Sequence, residues 1–232
     1  MAKLKRLLVP EFWKLPKKKY KFAVSPRAGP HKKFECIPLL VIVRDLLGVA
    51  ETGKEAKSII ERGEILVDWK PRKDHAFPVG LMDTIAIPKI KKYFRVLVGK
   101  KGLFLKEISE EESRKKICKI VNKTCVKKGK IQLNLHDGRN ILVEKDVFKT
   151  GDSVLIELPS QKILDHAKLE EGSLALILKG ENAGKICRVK GVIKRRSLIE
   201  SSLVSCEVEG KNLEIRKDYV MVLGKEKPMV EL

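Results

Sequence analysis

The sequence predicts an α+β protein in four parts: a basic N-terminal arm, a small α+β module, a mostly-β central domain and a C-terminal SH3-like β-barrel. Three observations predict it. Charge is strongly basic and unevenly spread, the longer helical patterns lie between residues 34 and 62, and beyond residue 100 short β-type runs separated by turn residues take over.

The chain of 232 residues carries 50 Lys and Arg against 30 Asp and Glu, a net charge of +20. Such an excess calls for a polyanionic partner, whose phosphates attract it and release counterions when neutralised. Half of the excess sits in residues 1–33, where eleven Lys or Arg face a single acid, Glu11. That segment also holds Pro10, Pro16, Pro26 and Pro30 and few aliphatic residues, so it reads as an extended arm that closes no core of its own. Phe12, Trp13, Tyr20 and Phe22 are interleaved with its lysines; for most of them, anchoring by burial on the next domain is expected over stacking on bases.

Residues 34–47 read as a helix, with Pro38 in its first turn, an apolar face from Leu39 to Leu47, and Gly48 as its stop. Thr52 and Glu55 stand at capping-box spacing before Ala56, Ile59 and Ile60, and Gly63 follows, which predicts a second helix at about 53–62. Strands are expected at 65–67 and 84–87 around a turn at 68–74, completing a module over 34–100. The central domain, 101–171, holds β-type runs at 103–105, 117–121, 131–135, 140–143 and 154–158, with a short capped helix at 110–115. From 172 to 232 five further β-type runs with close-set turns suggest the small barrel.

Chemistry is hard to place on this chain. The loop Gly180–Lys185 is one residue short of a phosphate-cradling P-loop, and Ile186 stands where a hydroxyl should meet magnesium. His31, His75, His136 and His166 are far apart, and His136-Asp137-Gly138-Arg139 is explained by a turn between two strands. Five Cys with no CxxC pair argue against a disulfide framework or a zinc ribbon and for reduced, mostly buried thiols. No signal peptide is visible, and the longest apolar run, 37–43, is too short to span a bilayer. What remains is positive charge on defined elements: Lys54, Lys57 and Arg62 on the second helix, and Lys70, Arg72 and Lys73 in the turn that follows its strand. A helix and a loop presenting cations together can follow an RNA backbone; a solvated face balanced by Glu51, Glu55 and Glu61 is the plain alternative.

Residues 52–87, with Thr52-Gly53-Lys54-Glu55 and the run Gly80-Leu81-Met82-Asp83, resemble the RNA-binding module named after bacterial small-subunit ribosomal protein four. Residues 172–198 resemble the KOW motif of ribosomal and transcription-elongation proteins. In order, Lys5-Arg6-Leu7, Gly29-Pro30-His31-Lys32, Ile37-Pro38-Leu39, Arg72-Lys73-Asp74, Phe77-Pro78-Val79-Gly80, His136-Asp137-Gly138 and the terminal KOW unit resemble the archaeal and eukaryotic e-type small-subunit ribosomal protein four family over essentially the whole chain. The chain stops soon after the barrel, closer to the family's archaeal members, and Trp69 stands where the family usually has Gly.

The resemblance implies a structural constituent of the small ribosomal subunit, acting in translation in the cytoplasm, with ribosomal RNA and neighbouring ribosomal proteins as partners. It implies no catalysis, cofactor, metal, small-molecule substrate or membrane. RNA contact is expected from Lys5, Arg6, Lys17, Lys18, Lys19, Lys21, Arg27, His31, Lys32 and Lys33 of the arm. In the module it is expected from Lys54, Lys57, Arg62, Arg72 and Lys73, and in the barrel from Asn182, Lys185 and Arg188 with Lys194, Arg195 and Arg196 at the next turn. The two barrel turns are expected to meet on one rim, with Gly184 closing the first in a positive-φ or close-approach conformation. Two rivals share parts of this pattern. Pseudouridine synthases carry the same module but need a Gly-Arg-Leu-Asp run, which is absent here; KOW elongation factors pair that motif with a polymerase-binding domain, none of which is recognisable.

Overall fold

The computed structural model of the chain describes residues 4–18, 20–126, 129–193 and 201–232. It forms two compact units, Met1–Arg114 and Lys115–Leu232.

In the first unit, β1 (Leu4–Lys5) and β2 (Phe22–Ala23) pair with each other. Strand β3 (Cys36–Pro38) runs into α1 (Leu39–Val41), which continues as a π-helical turn over Ile42–Leu46, and α2 spans Gly53–Glu61. Strands β4 (Leu66–Val67), β5 (Lys70–Pro71), β6 (Pro78–Gly80), β7 (Thr84–Ile87), β8 (Lys92–Gly99) and β9 (Gly102–Ile108) follow, and α3 (Glu110–Ser113) ends the unit. The main sheet is antiparallel in the order β5-β4-β7-β8-β9, while β3 pairs with β6. Alternation along the strands gives it two apolar faces. Val67, Ile85, Val96 and Leu103 join the helices in the main core, and the cross-strand row Leu66, Ala86, Tyr93 and Ile108 packs with Trp69 on the other side.

Helix α2 is built as its sequence dictates. Thr52 Oγ1 accepts the Glu55 N–H at 3.2 Å, and Glu55 reaches back to the Glu51 N–H at 3.1 Å. Ala56 and Ile60 are buried, and the N–H groups of Gly63 and Glu64 return to the carbonyls of Ile60 and Ile59, which closes the C-terminus. The helix expected over 34–47 is shorter. Pro38 holds Ile37 extended, so 36–38 pair with 78–80, and helical geometry starts only at Leu39. The first N–H groups of α1 are met by the carbonyls of Phe77 and His75.

The largest departure concerns the arm. Leu4, Val9, Trp13 and Leu15 belong to the main core, with Trp13 fully buried and its Nε1–H donated to Cys36 O at 2.9 Å. A Cβ on Gly102 would stand 2.5 Å from Phe12 Cβ, so only glycine lets the arm lie against the β8–β9 turn. The arm closes no core of its own but contributes to that of the first unit, so it is not a part separate from the module. Its composition is polar on average, yet several of its few apolar residues insert into a core built by other parts of the chain. The boundary expected at residue 100 also moves, because β9 completes the sheet of the first unit.

Asp68 and Trp69 both have positive φ, 52° and 57°, and form the two-residue turn between β4 and β5. Other contacts hold these unfavoured conformations. Asp68 Oδ1 accepts the Thr84 N–H at 3.0 Å; Trp69 Nε1 donates to Ser113 O at 3.0 Å, and its ring stacks on Tyr93 with Arg114 over the indole, 4.2 Å from it.

The second unit holds two antiparallel five-stranded sheets. One has the order β12-β11-β10-β13-β14, from β10 (Lys115–Cys125), β11 (Ile131–Leu135), β12 (Asn140–Val143), β13 (Ser153–Glu157) and β14 (Ile163–Ala167). The other has the order β18-β17-β16-β15-β19, from β15 (Leu174–Ile177), β16 (Ile186–Ile193), β17 (Leu203–Val208), β18 (Lys211–Arg216) and β19 (Val220–Gly224). The central and C-terminal segments, expected as separate domains, lie within this one compact unit, each with its own sheet. A buried lysine helps tie them: Lys119 Nζ on β10 donates to the carbonyls of Lys217, Asp218 and Val220 at 2.7–3.0 Å. Burial pulls this amine down to about 8. Lys119→Met would leave those carbonyls short of a donor, and we expect it to destabilise this unit by about 1–3 kcal/mol, read by urea denaturation.

Candidate nucleic-acid interface

Several of the basic residues expected in the first unit lie along α2 and at its C-terminal end. Lys54, Lys57 and Arg62 are exposed along the helix, with Lys57 paired to Glu61 at 3.6 Å on its own surface. The N–H of Arg72 donates to Ile65 O, which folds the segment after β5 back toward the helix terminus. As a result Lys73 Cε lies 3.8 Å from where a Cβ on Gly63 would stand. Arg27 reaches the same segment, with Nη1 on Asp74 Oδ2 at 3.2 Å and its N–H on Ala76 O. Lys89, which the sequence did not single out, meets Glu64 at 2.6 Å beside this helix end. Arm, helix terminus and turn thus bring Arg27, Arg62, Lys73 and Lys89 into one neighbourhood. Asp74, Glu64 and Glu61 pair with Arg27, Lys89 and Lys57 of this group, and Glu55 is held in the helix cap.

Some expected contacts are structural instead. Arg6 is 1% exposed, donates Nε–H to Pro16 O at 2.7 Å and lies under the Tyr20 ring, so it braces the arm from inside. His31 faces Asp83 Oδ2 at 2.9 Å, and a Cβ on Gly80 would come within 2.3 Å of its ring; it clamps the arm onto β6. Burial in these contacts turns both side chains away from solvent. Arg72 is half-buried over Phe77 at 4.4 Å, which gives it a bracing role too. Lys5, Lys17, Lys18, Lys21, Lys32 and Lys33 remain exposed.

In the second unit, Gly184 has φ +85° in the loop between β15 and β16 and donates its N–H to Ile177 O. Lys185 pairs with Glu209 at 2.8 Å, Arg188 is exposed on β16 and Asn182 is half-buried. Lys19, Lys194, Arg195 and Arg196, and with them the expected meeting of two turns on one rim, lie outside the described residues.

Catalytic or metal-binding chemistry finds little support in the polar interior. The ligand atoms of Cys118, His136 and Asp137 lie within 4.8 Å of one another. However, the Lys116 ammonium sits 2.8 Å from Asp137 Oδ2, and His136 Nδ1 accepts the Lys119 N–H at 3.2 Å, so the cluster reads as an internal ion-pair network. Burial pushes the Cys36 thiol up to about 12, far from the range of a nucleophile. Cys36, Cys118, Cys187 and Cys206 are buried, and Cys125 is exposed. Among the described residues no helix is long and apolar enough to cross a membrane.

A capped helix, a short strand, a turn and a closing strand with clustered cations are the parts of an S4-type RNA-binding module, and the S4 domain family matches residues 38–85. The RS4NT (NUC023) domain matches residues 2–34, and Ribosomal family S4e matches residues 90–163. The chain is 48% identical to small ribosomal subunit protein eS4 of Archaeoglobus fulgidus over 232 residues, covering 98% of this chain and 97% of the relative. It is 44% identical to that of Methanothermobacter thermautotrophicus, covering 99% and 95%. The crystal structure of the 30S ribosomal protein S4e from Thermoplasma acidophilum is similar with a TM-score of 0.72 at 27% identity, covering 82% of this chain and 96% of that one. The chain belongs to the eS4 family of small ribosomal subunit proteins.

Proposed function

We propose that this chain is a structural, non-catalytic constituent of the small ribosomal subunit, working in the cytoplasmic ribosome, where it binds and stabilises ribosomal RNA beside neighbouring ribosomal proteins during assembly and translation. Arg62 and Lys73 at the C-terminal end of α2, with Arg27 tied to Asp74 next to Lys73, in or against the helix and turn of the S4-matched segment, carry this reading. Fixed cations on a folded surface neutralise phosphate while ordering few side chains further, so they pin RNA shape without turnover. Neither rival is favoured, since the relatives share nearly the full length and are ribosomal proteins by name.

Two finer assignments belong to the same proposal. The arm, 1–33, and the module, 34–100, provide most phosphate contacts. The sheet of β15–β19 is a KOW-type SH3-like barrel, supported by its five short antiparallel strands, and it adds contacts through Asn182, Lys185, Arg188 and the following Lys194, Arg195 and Arg196.

Charge reversal at matched sites tests the placement. Lys57→Glu with Lys73→Glu is expected to weaken binding to refolded small-subunit ribosomal RNA by roughly tenfold or more at fixed salt, and to make the salt dependence shallower by about one for each phosphate no longer neutralised. Lys91→Glu with Lys92→Glu, equally exposed in the same unit, should cost much less. Equal weakening in filter binding would leave only non-specific attraction.

A further inference from the structure

The four aromatic residues of the arm divide into two kinds. Phe12 and Trp13 pack into the core, as anchoring requires. Tyr20 and Phe22 do not: they are 56% and 41% exposed, and Phe34, just past the arm, is 62% exposed. Each of these three rings has a cation beside it. The Arg6 guanidinium carbon lies 5.4 Å from the Tyr20 centroid, Lys21 Nζ 5.7 Å from that of Phe22, and Lys33 Nζ 5.7 Å from that of Phe34.

The backbone that carries Phe22 and Phe34 is tied down. Phe22 is in β2 opposite Lys5, the Lys21 carbonyl accepts the Arg6 N–H, and Phe34 lies within the turn closed by Glu35 N–H on Lys32 O, next to the buried Cys36. Folding therefore holds these rings in place but leaves much of their surface in water, which the hydrophobic effect alone does not favour. An exposed ring beside an exposed cation, as at Phe22 with Lys21 and Phe34 with Lys33, matches the two parts of a nucleotide, a base to stack and a phosphate to neutralise, while buried Arg6 only props the Tyr20 ring. Bases inside a duplex are already stacked on one another, so such rings fit unpaired nucleotides.

We propose that Tyr20, Phe22 and Phe34 are stacking platforms for unpaired bases, so that the first unit grips single-stranded segments of RNA through them. The proposal rests on the RNA-binding reading above and adds the class of nucleotide that the site takes.

The test replaces each ring by leucine, singly and together, which keeps apolar bulk and every cation. Wild-type protein is first measured on refolded small-subunit ribosomal RNA; failure to bind there rejects the RNA-binding reading itself. With that binding in hand, affinity is measured for a short single-stranded oligoadenylate and for an RNA duplex of equal length. Each substitution is expected to weaken binding of the single strand by about tenfold and to leave duplex binding and the salt dependence of both unchanged, since no cation is removed. Unaltered affinity for the single strand, or an equal weakening on the duplex, overturns the proposal. Thermal melting checks each fold, and the single variants decide the matter if the triple variant does not fold.

Discussion

Trp13→Ala destabilises the first unit by about 3–5 kcal/mol, the cost of emptying a large buried aromatic site. The indole is fully buried, and its N–H is the donor for Cys36 O, so truncation creates a cavity and also leaves a strand carbonyl unpaired. Residues from both sides of it take part in the same core: Leu4, Val9 and Leu15 from the arm, Ile37 and Leu103 from later segments. Deleting residues 1–33 removes all of the arm's members at once and is expected to abolish the cooperative melting of this unit. The composition of the segment alone predicts the opposite result, loss of RNA affinity with the fold intact. Thermal and urea denaturation followed by far-ultraviolet circular dichroism separate the two. A truncated protein that melts as sharply and at the same temperature as the full chain would show the arm to be dispensable for folding.

Breaking the Lys116–Asp137 pair has an effect of similar size in the second unit. Both side chains are almost completely buried and their charged atoms are 2.8 Å apart. Removing either partner strands the other charge, which typically costs about 3–5 kcal/mol; Lys116→Met is the cleaner case because it keeps volume. Burial alone would raise the Asp137 carboxyl, but Lys116, with His136 and Arg139, more than offsets it and holds the group at about 2. The folded value lies below the unfolded one of about 3.9. The pair's contribution is therefore fully present above pH about 4 and is lost as pH falls through about 2, amounting to about 2–3 kcal/mol. Acid titration of stability should show this fall in the wild-type protein and a shallower one in Asp137→Asn. Parallel acid profiles for the two proteins would contradict the ion-pair account.

Elements whose determinants lie close together in sequence were legible. Thr52, Glu55 and Gly63 mark both ends of α2, and Ser109 with Glu112 marks α3, because caps and stops act within a few residues. The turn at Asp137-Gly138 between β11 and β12 was legible for the same reason. Where distant partners decide, the sequence said little. Residues 36–38 are a strand because 78–80 pair with them, and Ile163–Ala167 forms β14 on the edge of a sheet although charged and polar residues interrupt its apolar pattern. Arg95, Lys116 and Lys119 look like surface cations in sequence. Their acceptors, the Glu112 carbonyl and carboxylate, Asp137, and the 217–220 carbonyls, are supplied by tertiary structure. The candidate site divides in the same way. Lys54, Lys57 and Arg62 follow from helical spacing, whereas the bracing roles of Arg6 and His31 depend on contacts with Pro16, Tyr20 and Asp83.

Crosslinking of protein to RNA in intact small subunits, with each crosslinked peptide and nucleotide identified, tests the central claim most directly. The basic surface at the end of α2 predicts crosslinks from the segments containing Arg27, Lys54, Lys57, Arg62 and Lys73 to neighbouring nucleotides of the ribosomal RNA, with a weaker set from Lys185 and Arg188. Subunits in which residues 27–73 yield no RNA crosslinks while other parts of the chain do would contradict it.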